Sequence, residues 1–524
     1  MIVKDIQPFT IVDDVGFRTF VSKLDPKYVL PTRQRYIEKV VAVSLTSDMW
    51  TSINMDAYLA VTCHFVEENE KLSSVLLGVQ AFPQSHTAEN IACVKASLME
   101  EWGISGKVTC MVTDSAPNMV ASVRELKLRH HICVAHTLNL VVKRELDQHP
   151  VLSGLRAKAR KLVGYFRSST TAKEKLKQVQ LQLGMQATKL MQEVETRWNS
   201  TYLMLQRLVE LREPVGAALA GLHTDIPFFT ASEFDIVVAC LSSLSPFYDA
   251  TTELSAEEHV SASKVIPLLK MIAKVLQEED TKSAPAVAVE IGEQLIRQLR
   301  EKLHMLQSMS ILSLATLLDP QFKLIAFFSN TKAAEAVKRL TSECATVIRR
   351  NTEKNTHEIP QASTSQEFTG GNVLYYILRL LIPITTLTNM TCGFHLGSRL
   401  WQRLDTSVME AKRTQNVSED ATVEIQRYLS EANISRLENP LEYWANHRSL
   451  YPNLYKLALI YLCTPASSVP CERVFSKAGE VVSKKRNRLK PKTVEKLLFL
   501  NKNQHSEDVT WLVDTESFSL CFRG

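Results

Sequence analysis

Short β-branched runs alternate with amphipathic segments between residues 39 and 146. Five of these runs have the period-two alternation or the continuous apolar character of strands. They lie at 39–48, 57–66, 73–81, 107–114 and 130–134. The segments between and after the later runs have apolar residues at helical spacing, and Thr87 and Ser115 stand where N-caps are expected. The pattern predicts the order β-β-β-α-β-α-β-α.

This order predicts a single mixed sheet. Three consecutive strands joined by hairpins give an antiparallel part, and later strands that alternate with helices give a parallel part. The arrangement resembles a ribonuclease-H-like fold. We therefore expect the fold class α/β, with a ribonuclease-H-like mixed sheet interrupted by a large all-α insertion.

Most of the remaining chain has a helical pattern. Apolar positions follow helical spacing over 152–437, except in the polar stretch 351–371, which predicts a mobile loop. An apolar helix is predicted at 454–463, and further helices begin at Pro470 and Pro491. The predicted division is a helical lead-in at 1–38, the first part of the α/β core at 39–204, a helical insertion at 205–437, a region completing the core at 438–503, and a tail at 504–524.

Composition narrows the class of protein. With 45% hydrophobic and 22% charged residues, the chain is not mostly disordered. Its formal net charge of +5 over 524 residues is too small to indicate nucleic-acid binding by itself. The ten cysteines are scattered and include no C-x-x-C pair, so we expect reduced thiols in an intracellular compartment and no structural zinc.

No membrane segment is predicted. The N-terminal residues lack the apolar run of a signal peptide. The most hydrophobic window, residues 373–390, is too short to span a bilayer and contains Arg379. We therefore expect no membrane partner.

Two aspartates stand at the ends of predicted strands. Asp48 ends the first predicted strand and Asp114 ends the fourth, and these strands are neighbours in the expected sheet. Two carboxylates in one cleft repel each other unless a cation or a shared proton intervenes, and Mg²⁺ prefers such oxygen ligands. A pair of these ions can cleave a phosphodiester. The alternative is that each aspartate is a turn residue at a strand end.

A basic run lies before the last predicted helix. Six basic residues and no acidic residue occur between 484 and 492, among them Lys484, Lys485, Arg486 and Arg488. The run indicates a surface that contacts phosphate or a nuclear-import signal, and the alternative is a solvated loop.

Five motifs in order resemble those of hAT-superfamily transposases, and especially the vertebrate BED-type zinc-finger proteins derived from them. They are Thr46–Ser52, Val112–Asn118, Cys133–His136, Glu195–Thr201 and Ser467–Ser476, the last followed by the basic run. The resemblance covers about residues 5–503. Within the last motif, Cys471 replaces the more common serine before the glutamate.

The resemblance implies a catalytic, metal-binding triad of Asp48, Asp114 and Glu472, with Mg²⁺ as the cofactor if the protein is active. It also implies that 205–437 is an insertion within the catalytic fold and that 438–503 mediates dimerisation. For Glu472 the alternative is an acidic residue in the first turn of a helix, where the helix dipole favours it.

The same resemblance assigns DNA contacts to three residues. It places His136 beside the active site, lets Arg197 pair with a phosphate, and stacks Trp198 on a base displaced from the duplex. The alternatives are a packed thiol and a capped histidine for Cys133 and His136, and a core aromatic for Trp198.

Two functions compete at this stage. One is an active transposase that cleaves and transfers DNA strands with Mg²⁺. The other is a transposase-derived nuclear protein that self-associates and binds DNA in a regulatory role. The sequence contains no C-x₂-C…H-x-H arrangement, so we expect that it starts just after the BED finger of its relatives and lacks that finger. This expectation favours the regulatory function, with DNA and a second copy of the chain as partners.

Overall fold

The computed structural model describes residues 39–278, 284–357, 417–482 and 491–503, and single positions at Thr19, Lys23 and Arg403. The described residues up to 339 and from 431 onward form one compact unit, and those between 340 and 430 form a second. The expected lead-in and tail lie outside the described ranges. The loop expected at 351–371 also lies mostly outside them, but residues 351–357 are helical, so its expected start was wrong.

Five strands form the sheet of the first unit. They are β1 (Val43–Thr51), β2 (Ala57–Val66), β3 (Leu72–Ala81), β4 (Val108–Thr113) and β5 (His130–Ile132). Their order across the sheet is β3-β2-β1-β4-β5. β1 pairs antiparallel with β2 and parallel with β4, β2 pairs antiparallel with β3, and β4 pairs parallel with β5. The predicted mixed sheet and its order of elements are therefore confirmed.

The α-helices of the described ranges are numbered in chain order. They are α1 (Ala88–Glu101), α2 (Pro117–Glu125), α3 (Val134–Gln148), α4 (Pro150–Ser168), α5 (Thr170–Gln182), α6 (Trp198–Glu210), α7 (Arg212–Ala220), α8 (Ala231–Leu254), α9 (Val265–Glu278), α10 (Ala286–Leu306), α11 (Ser310–Leu318), α12 (Asn330–His357), α13 (Val417–Ser430), α14 (Pro440–Asn446), α15 (Pro452–Leu462), α16 (Val469–Val481) and α17 (Pro491–Asn503). Short 3₁₀ helices lie at Ala262–Lys264 and Lys323–Ala326. None of these helices is both long enough and apolar enough to cross a membrane.

The sheet buries both of its faces, since successive side chains of β2 lie on opposite faces and nearly all of them are buried. One face packs on α1 through residues such as Val61, Leu98 and Met99. The other face packs on α16 and α17, with Val79 against Phe475 and neighbouring side chains. The second cover of the sheet is therefore supplied by a part of the chain that follows the helical insertion.

A separate apolar core holds the first helices after the sheet together. It contains residues of α4 to α8, among them Leu162, Leu176, Leu208 and Val237. In the second unit, α13 buries Ala421, Ile425 and Tyr428 along one face. The helical character predicted after residue 152 is thus confirmed for most of the described ranges, with an irregular segment at 183–197 between α5 and α6.

Candidate functional site

Asp48 and Asp114 occupy equivalent positions on two neighbouring parallel strands. The last paired residues of β1 and β4 are Thr46 and Val112, and each aspartate lies two residues further along its own strand direction. Asp48 was expected to end its strand, but β1 continues to Thr51 because its last residues pair with β2. The two carboxyl groups therefore belong to the same edge of the sheet.

The Asp114 side chain also starts the following helix. Its Oδ1 accepts a hydrogen bond from the backbone N–H of Ala116 at 3.2 Å, just before α2. Ser115 was expected to cap this helix, but Ala116 is the N-cap residue and α2 has no side-chain cap bond. The carboxylate of Asp114 is thus held by the turn that connects β4 to α2.

Glu472 reaches this edge because the segment before it is bonded to the sheet. The hydroxyls of Ser44 and Thr464 lie 2.8 Å apart, and His131 Nε2 lies 2.9 Å from the carbonyl oxygen of Pro465. Next to the glutamate, the thiol of Cys471 lies 3.1 Å from Thr46 Oγ1. Glu472 itself lies in the first turn of α16, as expected from its helix-opening position.

The acid cluster, Asp48, Asp114 and Glu472, is electrostatically coupled. Burial, together with the nearby carboxylates of Glu472 and Asp114, raises the pKa of Asp48 to about 7, although the Met49 N–H and Lys95 act in the opposite direction. Folding therefore brings Glu472 close enough to Asp48 to affect its ionisation, although the two residues are distant in sequence. The catalytic triad that the resemblance implies stays a prediction.

A buried lysine lies beside the acid cluster. Lys95 of α1 is fully buried, and its Nζ donates to Ser122 Oγ at 2.9 Å. Burial lowers the pKa of Lys95 to about 7, while the nearby aspartates Asp114 and Asp48 oppose that shift. The sequence signal for this residue is a lysine within the apolar stripe of an amphipathic helix, and our sequence analysis missed it.

The donor chemistry of the acid cluster fits Mg²⁺, since carboxylate oxygens are its usual protein ligands. The arrangement of the three side chains does not fit a metal ion. Over the described ranges, no group of three or more His, Cys, Asp or Glu side chains is placed to hold a metal ion. The assignment of Mg²⁺ to these three residues therefore stays a prediction.

Arg197 contacts the third acid of the cluster. Its guanidinium nitrogen lies 3.8 Å from Glu472 Oε2 and 3.5 Å from Ser476 Oγ. Both partners are partly exposed. This is a long ion pair between partly exposed groups, which contributes little energy. It leaves open the phosphate contact that the resemblance implies for Arg197.

Asn139 joins two of the motifs. Its side-chain oxygen accepts from the backbone N–H of Trp198 at 3.0 Å, and its side-chain nitrogen donates to the carbonyl oxygen of Thr196 at 3.3 Å. Asn139 lies one turn after His136 on α3. It therefore fixes the start of α6 against the helix that carries His136, a role that our sequence analysis did not predict.

Trp198 is buried, with 2% of its surface exposed. Its ring lies against Tyr202, with ring centroids 6.2 Å apart. A ring in this position cannot stack on a base unless it leaves the core. The geometry favours the core-aromatic alternative over the base-stacking role.

Cys133 has a structural role. Its sulfur accepts hydrogen bonds from the backbone N–H of His136 at 3.4 Å and of Ser468 at 3.3 Å. Burial raises the pKa of this thiol to about 11. The packed-thiol alternative therefore describes Cys133, and His136 is half-buried in the first turn of α3. The expected DNA contact of His136 stays a prediction.

Glu257, which follows α8, connects the helical part of the chain to the C-terminal helices α16 and α17. Its carboxylate forms ion pairs with Arg473 at 3.0 Å and Lys502 at 2.6 Å, and accepts a hydrogen bond from Ser74 at 3.2 Å. Its side chain is only 12% exposed. Because Arg473 follows Glu472 directly, Glu257 helps to fix the helix that carries the third acid. Glu257 lies in none of the five sequence motifs and was not predicted as a site residue.

The residues of the basic run, Lys484, Lys485, Arg486 and Arg488, lie outside the described ranges. Their expected contact with DNA stays a prediction.

Three protein-family models match the chain. The ZBED1 RNase-like domain matches residues 46–142, the ZBED1 RNase-like helical domain matches 132–261, and the hAT family C-terminal dimerisation region matches 424–504. The two RNase-like matches cover the sheet and the helices that follow it. The third match covers the segment that contains Glu472.

Three curated relatives are each 24% identical to the chain. Zinc finger BED domain-containing protein 4 of Homo sapiens aligns with 96% of this chain, over 43% of its own length. Putative transcriptional regulator tpeD of Talaromyces stipitatus aligns with 94%, over 59% of its length. Putative AC transposase of Zea mays aligns with 94%, over 62% of its length. The chain thus spans about half the length of these relatives.

Together these matches define a class of proteins derived from DNA transposases. The chain carries the hAT family C-terminal dimerisation region, and over most of its length it is similar to BED zinc-finger proteins and to an AC transposase. The resemblance recognised from the five sequence motifs is confirmed.

Proposed function

We propose that the protein is a transposase-derived nuclear protein that self-associates through its hAT C-terminal region and binds DNA in a regulatory role. The observation that carries the proposal is the match of residues 424–504 to the hAT family C-terminal dimerisation region. The relative named as a putative transcriptional regulator is consistent with this role.

The ribonuclease-H-like core is part of this proposal. It is supported by the strand order β3-β2-β1-β4-β5, in which only β2 runs opposite to the others, and by the match to the ZBED1 RNase-like domain. The domain division at 39–204, 205–437 and 438–503 likewise stays a prediction. The match over 424–504 supports self-association.

The DNA-binding surface that we propose combines Arg197 and His136 with the basic run at 484–492. Each phosphate contact releases counterions, so the logarithm of the binding constant falls with the logarithm of the salt concentration, with a slope of about 0.9 per contact. Nuclear localisation follows from DNA as the partner.

Replacing Lys484, Lys485 and Arg486 with Gln tests this surface. The salt slope of duplex binding should decrease by up to about three in magnitude. A matched control replaces the exposed Lys173, Lys177 and Lys189 with Gln. Equal slopes for the parent protein and the basic-run variant would remove that run from the proposed surface.

An active transposase is the second candidate, and the coupling of Asp48 to Glu472 and Asp114 favours it. Cleavage would require the three carboxylates to assemble closely enough to hold metal ions. Incubation of purified protein with supercoiled duplex and Mg²⁺ separates the candidates, with Asp114→Asn as the matched variant. Nicking by the parent and none by Asp114→Asn would establish cutting and refute the regulatory proposal. No nicking by either protein, together with salt-dependent binding, is the result that we expect.

A further inference from the structure

A cleft lies between α9 and α10, apart from the acid cluster. Its volume is about 470 Å³, within the range of about 300–1,000 Å³ that is usual for small-molecule sites. Each helix contributes residues at the spacing i, i+3, i+4 and i+7, which is one continuous face. The lining residues are Lys270, Ala273, Lys274, Gln277, Arg300, Leu303, His304, Gln307 and Phe328.

The lining is basic and contains no acidic residue. Lys270 is already engaged, since its Nζ donates to the carbonyl oxygens of Ile325 at 2.8 Å and Phe327 at 3.0 Å. Lys274 has only a long, exposed ion pair with Glu278, at 3.7 Å. Within the described ranges, Arg300 has neither an ion pair nor a hydrogen bond through its side chain. The cleft therefore presents cationic donors that are free to bind an anion.

The rest of the lining suits a flat apolar group with polar edges. Leu303 and Ala273 lie in the same cleft, and the ring of Phe328 is 39% exposed beside them. Gln307 is 8% exposed, and its Oε1 has no hydrogen-bond partner among the described residues. An unsatisfied buried acceptor is costly, and a small change of its side-chain torsions would offer it to a ligand donor.

We propose that the cleft between α9 and α10 binds a nucleotide unit. Its phosphate contacts Arg300 and Lys274, and its base lies against Phe328. A phosphate alone would use the cations but not the apolar part, and an apolar ligand alone would leave the cations unused. The nucleotide unit comes either from a free nucleotide or from an unpaired DNA strand. The site does not depend on the residues of the acid cluster or of the basic run.

Equilibrium binding to the full chain tests this site. The probes are ATP, AMP, inorganic phosphate and a short single-stranded oligothymidylate. We expect a nucleotide or the oligonucleotide to bind, and Arg300→Gln to weaken that binding about tenfold because a charge-assisted contact is lost. Phe328→Leu should weaken it several-fold while leaving inorganic phosphate binding unchanged. Both side chains are exposed, so these variants should fold.

Arg167→Gln is the matched control, since Arg167 is an exposed arginine on another helix. Binding of ATP or AMP identifies a free nucleotide as the source, and binding of the oligonucleotide alone identifies an unpaired strand. Two results would overturn the inference. One is that inorganic phosphate binds as tightly as both nucleotide probes, and the other is that Arg300→Gln binds as tightly as the parent and Arg167→Gln.

Discussion

The sulfur of Cys133 accepts a hydrogen bond from the backbone N–H of Ser468, at 3.3 Å. This bond joins the start of α3, which follows the last strand of the sheet, to the N-cap residue of α16, which carries Glu472. The same sulfur accepts from His136 N–H. One buried thiol thus fastens the two ends of a fold that the helical insertion separates.

Replacing Cys133 with Ala should lower the free energy of unfolding by about 1–3 kcal/mol, because two backbone N–H groups lose their acceptor. Cys133→Ser keeps an acceptor oxygen, so its free energy of unfolding should decrease less. Urea unfolding followed by circular dichroism measures the difference. Cys93→Ala is the control, since Cys93 is exposed and should change stability by less than about 0.5 kcal/mol. If Cys133→Ala were as stable as Cys93→Ala, the fastening role would be refuted.

Glu257→Gln should lower the free energy of unfolding by about 1–3 kcal/mol, because the hydrogen bonds from Arg473 and Lys502 would lose their charged acceptor, while both cations stay partly solvated. The exposed pair of Lys477 and Glu480 offers a control, and Glu480→Gln should cost less than about 1 kcal/mol. Chemical unfolding at two salt concentrations measures both variants. If the two variants lost similar free energies of unfolding, Glu257 would not hold the helices together.

Trp198→Ala should lower the free energy of unfolding by about 3–5 kcal/mol, because the ring fills the core. Trp198→Phe should cost less than about 1.5 kcal/mol, since the indole N–H that it removes has no hydrogen-bond partner in the part of the chain that the structure describes. Thermal and urea unfolding measure these values, with the exposed Arg167→Gln as control. A fully stable Trp198→Ala variant with weakened DNA binding would instead support the base-stacking role.

Asp319→Asn should change how stability depends on pH. Burial raises the pKa of Asp319 to about 6, although Ser263 and the Gln321 N–H both donate to its carboxylate. The folded state therefore holds this proton more tightly than the unfolded state does. The contribution of Asp319 to the free energy of unfolding is fully present below about pH 4. It is lost as the pH rises through 6, by up to about 3 kcal/mol.

Relative to the parent, Asp319→Asn should thus gain stability as the pH rises from 4 to 8. Unfolding free energies measured at pH 4, 6 and 8 show the trend. The exposed Asp249→Asn should follow the parent at all three values. A constant difference between Asp319→Asn and the parent would contradict the assigned pKa.

The strands could be predicted from sequence because alternation is a local signal. β2 was placed at its observed bounds, 57–66. β1 was predicted at 39–48, but it begins at Val43 and its pairing with β2 extends it to Thr51. The cap of α2 was assigned to Ser115 because a hydroxyl is the usual cap. The neighbouring carboxylate of Asp114 instead binds the Ala116 N–H, and no local pattern distinguishes these two arrangements.

The acid cluster could be predicted only in part. Asp48 and Asp114 follow from strand order, but Glu472 was reached through the family resemblance, because only the bonded segment before it brings it to the sheet. The partners of Lys95, Asn139 and Glu257 come from distant parts of the chain. The pairing of Arg197 with Glu472 is likewise a tertiary contact, which the motifs could not reveal.

Because α16 and α17 cover one face of the sheet, a nascent chain that has just left the ribosome through β5 exposes Tyr58, Leu76 and Val79 to water. At about 5–20 residues per second, translation of the intervening helices takes on the order of tens of seconds. During that interval the uncovered face is a surface for aggregation or for a chaperone. Premature termination before residue 469 would make this exposure permanent, so truncated products should be cleared rather than accumulate.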